Sequence, residues 1–215
     1  SLHLSCLLCL DRKKEFDRKY LELSKKNFCN AEIGGIVEHA NIIYDNDYNS
    51  TFCNKAAEYV LWDKINEDLF PDKELNQLLK FVENSKTADR SQGLLKNGFQ
   101  TSGNLFSLDY PFIKSIKKAL QIKIELYKQK FKHSNQGFIN NWPEKYELRS
   151  WIISMKSGGF LQQHNHEYGW ITGSFYLQVP KDSKNKNSGS LEFSYQGPQY
   201  PLKNKKFDSY IHKVE

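Results

Sequence analysis

The sequence predicts an α+β fold: helices first, antiparallel strands afterwards, closing on a sandwich or barrel at the C-terminal end. Apolar residues recur near helical spacing through the first third of the chain. One long apolar stripe begins at Pro111, and after "NNWPEKY" the apolar period changes from helical to two. The 215 residues are 39% hydrophobic and 14% aromatic, enough to bury a real core and unlike a disordered composition.

The helices come in order. "LHLSCLLCLDRKKEFDRKYLELSKK" keeps Leu7, Leu10, Phe16, Tyr20 and Leu23 near helical spacing, and "AEIGGIVEHANIIY" is a second, shorter helical stretch. Residues 1–45 thus read as a helical segment, suited to be the end of a helical-repeat array, although no full repeat period lies inside the chain. "YDNDYNSTFCN" is a polar, turn-rich joint and the first candidate boundary. Residues 54–215 form the second expected domain, with a helical part at 54–140 and an incomplete β part at 146–215. Within it, helices are expected near 55–68 and 73–84, then a long loop in "NSKTADRSQGLLKNGFQTSGNLF". The clearest helix starts at Pro111, a good first-turn residue. Its Ile113, Ile116, Leu120, Ile124, Tyr127 and Phe131 fall at steps of 3, 4, 4, 3 and 4, a stripe suited to lying across a sheet.

The strands follow. "LRSWIISMK" reads as a strand, "SGG" as a turn and "WITGSFYLQVP" as a second strand. "KDSKNKNSG" reads as a polar hairpin loop, "SLEFSY" as a third strand and the final "YIHKVE" as a strand in progress. The chain starts at Ser1 without Met, and a fragment cut at both ends is expected.

Charge and cysteine content narrow the function classes. The formal charge of +6 comes from dispersed lysines, while arginine occurs only at Arg12, Arg18, Arg90 and Arg149. Without a clustered arginine stripe interleaved with aromatics, no nucleic-acid partner is expected. No apolar run reaches the ~18 residues of a membrane span, and the basic "DRKKEFDRK" follows the apolar N-terminus, the reverse of a signal peptide. Cys6 and Cys9 form a C-x-x-C inside an apolar helix; with Cys29 and Cys53 they read as buried free thiols, which fits a reducing cytoplasm.

The chemistry concentrates in "GGFLQQHNHEYGW". On a strand, i and i+2 share a face, so His164 and His166 can converge on one metal ion, and imidazole suits Fe, Zn, Cu or Ni. If the register continues, Thr172, Ser174, Tyr176 and Gln178 share that face, while Ile171, Phe175, Leu177 and Val179 pack on the other. Trp142, Trp151 and Trp170 read mainly as core, with Trp170 the best placed to line a pocket. His39 and His133 read as surface histidines.

These residues resemble the iron(II)/2-oxoglutarate-dependent oxygenases, in particular the branch named for 2OG-Fe(II) oxygenases related to prolyl hydroxylases. The resemblance runs through "LRSWIISMKSGGF", "HNHEYGWITGSFYLQVP" and "SGSLEFSYQGP", with "QTSGNLF" upstream, about residues 95 to 200. It implies a double-stranded β-helix, or jelly roll, backed by the long helix and truncated here. By position, it makes His164 the first metal ligand, puts His166 where an acidic ligand usually stands, and makes Tyr176 the 2-oxoglutarate tyrosine. Either His166 ligates in place of the acid, or Glu167 reaches in. The distal histidine and the carboxylate-clamping arginine are expected beyond Glu215, because His212 lies on a strand that should precede the distal one and no arginine follows Arg149. The resemblance thus implies a dioxygenase using Fe(II), with 2-oxoglutarate as co-substrate, to hydroxylate a C–H bond of a protein, peptide or small molecule. The chain as given is expected to be inactive by itself, and the loop from Gln100 to Asn104 is a candidate wall near the substrate.

Two other readings compete. "GGFLQQHNH" also opens the cupin pattern G-x5-H-x-H, as in a zinc isomerase or sugar-binding module, but Trp170 stands where that pattern expects a glutamate. The remaining reading is a non-catalytic helical-repeat interaction protein. Helical repeats ahead of the domain suit a protein or peptide substrate.

Overall fold

Helix α3 shows how firmly local chemistry sets the first elements. It spans Ala31–Tyr44. Asn30 caps it by accepting a hydrogen bond from the Ile33 amide at 3.0 Å. Glu32 suits the positive end of its first turn, and Asp45 closes it in the left-handed conformation. The computed structural model describes residues 1–26, 29–84, 89–90, 92–166, 168–179 and 187–214. These divide into two units: Ser1–Val60 with His133–Trp142 and His164–Glu215, and Leu61–Lys132 with Pro143–Gln163.

In the first unit, α1 (Leu2–Cys9) packs against α2 (Lys13–Ser24) and α3. Their buried faces supply Leu4, Leu7 and Leu8, then Phe16, then Ile33, Ile36, Val37, Ala40 and Ile43. Tyr48 and the distant Tyr200 complete this core, and the Ser5 and Tyr200 hydroxyls hydrogen-bond at 2.9 Å. Cys6 and Cys9 are exposed, contrary to the buried-thiol expectation, because the apolar face of α1 is carried by its leucines. Only Cys53 is fully buried among the described cysteines, and burial pushes its thiol up to about 12.

The helix expected near 55–68 does not form. A short 3-10 turn, Ala56–Tyr59, is preceded by Lys55 at φ 54°, and residues 60–66 are irregular with Trp62 41% exposed. A left-handed start gives the segment no helical first turn to extend. In the second unit α4 (Asp72–Asn84) forms where expected, and α5 spans Pro111–Phe131 as its stripe predicts. Ile113 and Ile116 are buried at the head of that stripe. The main packing partners of α5 are α4 and the 3-10 turn Leu105–Ser107, not a sheet.

The segment read as a long loop contains β1 (Asp89–Arg90) and β2 (Leu95–Thr101), and β3 spans Ile153–Leu161. They form one antiparallel sheet in the order β1-β2-β3. "SGG" is therefore not a turn but lies inside β3, where pairing steps from Lys96↔Phe160 to Gly98↔Met155. Asn97 and Gly158 take left-handed φ values of 48° and 73° at this irregularity. A Cβ on Gly159 would stand 2.7 Å from the Asn97 carbonyl oxygen. The glycines let the ladder absorb extra residues rather than reverse.

A second antiparallel pair joins β4 (Ser190–Ser194) to β5 (Ser209–Lys213), matching two expected strands. Short α6 (Gly137–Asn140) lies in the first unit. The strand expected across 170–180 is not a strand: residues 172–176 have no regular pairing, and Ile171, Phe175 and Tyr176 are 37–38% exposed. A strand needs a neighbour to take up its backbone groups, and the two sheets of the described residues do not include this segment. Both supposed faces are therefore exposed. Pro180 and most of the hairpin loop lie outside the described residues. The architecture is a mixture of helices and small antiparallel sheets, an α+β arrangement.

Candidate functional site

Beyond β3 the Gln162 amide donates to the Leu94 carbonyl at 2.9 Å, and the chain then runs to His166 without regular secondary structure. The His164 and His166 rings still come together, with centroids 4.9 Å apart and planes at 77°. A metal–nitrogen bond of about 2.1 Å puts a ring centre roughly 3 Å from the ion, so two such rings can share one ion when their centres are within about 6 Å. The ring separation lies within that limit. His164 is exposed and His166 half-buried. Burial first, and then the neighbouring His164, hold the His166 imidazole below its ordinary pKa, favouring the neutral form whose lone pair can ligate.

Among the described residues no cluster of three or more His, Cys, Asp or Glu side chains is placed to hold a metal. Glu167 lies outside the described residues. His212 sits on β5 opposite Leu191. Tyr176 lies on the irregular segment, where burial pushes its phenol up and a hydrogen bond with Ser174 opposes the shift. The phenol is thus protonated near neutral pH, a donor for a carboxylate.

Just after the pair, the Gly169 amide donates to the His166 carbonyl at 2.9 Å, closing a turn. Trp170 then donates its indole N–H to the Phe138 carbonyl at 2.9 Å and sets its ring edge-on to Phe52 at 5.2 Å. Its contacts are those of an anchor rather than of a pocket wall. Sequence reasoning marked Trp170 but could not name its acceptor, which lies on α6 far away in the chain.

His39, read as a surface residue, is 0% exposed. Its Nδ1 accepts from the Gly197 amide at 3.0 Å, so Nε2 carries the proton and donates to the Pro201 carbonyl at 3.1 Å. Its ring stacks on Phe207 at 4.6 Å. The missed signal was periodicity, since His39 continues the α3 stripe of Ile36, Ala40 and Ile43.

In the second unit, the expected loop wall became partly strand, with Gln100 buried in β2. Thr101, Ser102, Gly103 and Asn104 line an open cleft of about 350 Å³ with Phe81 and Tyr110.

The family model described as "Putative 2OG-Fe(II) oxygenase" matches residues 149–215, a stretch that holds both histidines and Tyr176. This is the family that the histidine stretch resembles. The match leaves out "QTSGNLF" upstream and continues past residue 200 through β5. No curated protein and no solved structure matches the chain.

Proposed function

We propose that this chain carries the site of an Fe(II)- and 2-oxoglutarate-dependent oxygenase, with His164 and His166 as metal ligands and Tyr176 as a 2-oxoglutarate ligand. The observation that carries the reading is the ring pair at 4.9 Å inside the stretch that the family model matches. When bound, Fe(II) and 2-oxoglutarate would supply the hydroxylation of a substrate C–H bond with O2 as the oxidant, 2-oxoglutarate leaving as succinate and CO2. The chain's own residues do the rest. His164 and His166 supply the imidazole nitrogens, and the depressed pKa of His166 lowers the proton competition at its nitrogen. Tyr176 donates its phenolic proton to the co-substrate carboxylate, and Ser174 orients the phenol.

In this reading residues 54–215 are the oxygenase domain, its β part at 146–215 belonging to a double-stranded β-helix, residues 1–45 are a helical segment ahead of it, and the protein works in the cytoplasm on a protein, peptide or small molecule. No helix among the described residues is long and apolar enough to cross a membrane. The test is anaerobic addition of Fe(II) and then 2-oxoglutarate to the protein. A visible charge-transfer band that needs both additions supports the proposal, and metal uptake without that band speaks against it.

A further inference from the structure

We propose that Trp170 is a positioning residue for the histidine pair, locking the turn that carries His166 onto a fixed aromatic anchor. This rests on the reading of His164 and His166 as metal ligands. Among the described residues, 168–179 form no strand, so the contacts of the turn's own side chains bear on how it is held. The turn closed by the Gly169 amide on the His166 carbonyl passes directly into Trp170. The Trp170 indole then makes a directional bond, its N–H to the Phe138 carbonyl at 2.9 Å, and an edge contact with the Phe52 ring, its plane at 76°.

The anchor is backbone as well as ring. Phe138 is 3% exposed, and its amide donates to the Phe52 carbonyl at 2.9 Å. Its ring meets Phe52 at 5.7 Å and Tyr59 at 5.3 Å. Beside it, Gly137 approaches the chain so closely that a Cβ would stand 1.9 Å from the Thr51 carbonyl oxygen. The acceptor for Trp170 is thereby fixed in place by its neighbours. Tryptophan suits this role because one side chain offers a large flat ring with few rotatable bonds and a single obligate donor. Metal affinity depends on ligands being held near their bound orientation before the ion arrives. The link from Trp170 to His166 runs through the backbone of the turn, so its role is to position rather than to react.

The experiment uses Co(II) as a visible-band probe on the full chain. Wild type is compared with Trp170→Phe, which keeps a ring and deletes the donor, with Phe52→Leu, which keeps the donor and deletes the ring contact, and with His164→Ala. Folding is followed by far-UV circular dichroism. Histidine-ring NMR signals are recorded without metal. The expected result for Trp170→Phe is a loss of Co(II) affinity of about 10–100-fold, a shifted band and unchanged circular dichroism. In the metal-free variant the His164 and His166 signals broaden while the His39 signal does not. Phe52→Leu, expected to act in the same direction, takes over if Trp170→Phe does not fold. Wild-type binding with the same affinity and band in both anchor variants overturns the role of Trp170 and leaves the ligand assignment standing. Binding that is absent from wild type, or equal in His164→Ala, overturns the ligand assignment. Unbroadened histidine signals then overturn the positioning role as well.

Discussion

His39 and the His164–His166 pair lie in the same unit and show opposite uses of one side chain. His39 is wholly buried, with each ring nitrogen bonded to a backbone group of the 197–201 segment and its face on Phe207. His164 is exposed and His166 half-buried, and their rings meet edge-on with centroids 4.9 Å apart. What a histidine does is thus set by what surrounds its nitrogens. Where backbone uses both, the ring fastens a helix to a loop. Where two rings meet with one of them exposed, the pair is the site proposed for a shared ion. The comparison predicts a double dissociation: His39 variants lose stability and keep metal binding, whereas variants of the pair lose metal binding and keep stability.

The largest expected effect on stability is that of His39→Leu. It keeps bulk but leaves the Gly197 amide and the Pro201 carbonyl without their partner, at a cost of about 2–4 kcal/mol in urea unfolding. Co(II) affinity should stay at the wild-type value. A His39→Leu protein with full stability would break the comparison on that side.

Acidification should remove part of the same contribution. Burial lowers the His39 pKa in the folded chain, so the unfolded chain binds the proton more readily. Stability is then full above the ordinary histidine value near 6.5 and is lost as pH falls through the lower folded value. Unfolding midpoints measured across that window should fall with pH in wild type, and more shallowly in His39→Leu.

Smaller again is Tyr176→Phe, which deletes one hydrogen bond, worth about 1 kcal/mol. The 2-oxoglutarate affinity should drop about 5-fold, while Fe(II) affinity alone is unchanged. At the bottom stands Lys205→Ala, which deletes a surface ion pair to Asp45 at 2.5 Å, with the Asp45 side chain 76% exposed. Its effect on unfolding should stay within about 0.5 kcal/mol.

The elements that were legible in the sequence are those whose own residues determine them. The α5 stripe, the helical stretch of α3 and the strand pattern of β4 could be read because each signal is local. The elements that were misread depend on partners far along the chain. Residues 170–180 carry strand composition but have no ladder neighbour among the described residues, and β2 was hidden in a polar stretch because its pairing with β3 supplies what its sequence lacks. The strand argument for His164 and His166 did not hold, since their segment forms no strand among the described residues. The rings still lie 4.9 Å apart, and the turn after them leads into Trp170, whose indole donates to the Phe138 carbonyl. That acceptor, the Phe138 carbonyl, left no mark in the local sequence.

The central claim is that His164 and His166 together hold one metal ion. Anaerobic equilibrium titration of Fe(II) into wild type, His164→Ala, His166→Ala and His39→Leu tests it directly. The account predicts one site per chain in wild type and in His39→Leu, with affinity reduced by more than about 100-fold in each of the pair variants, beyond what an outer partner of a ligand usually costs. Equal Fe(II) affinity in wild type and both pair variants would contradict it.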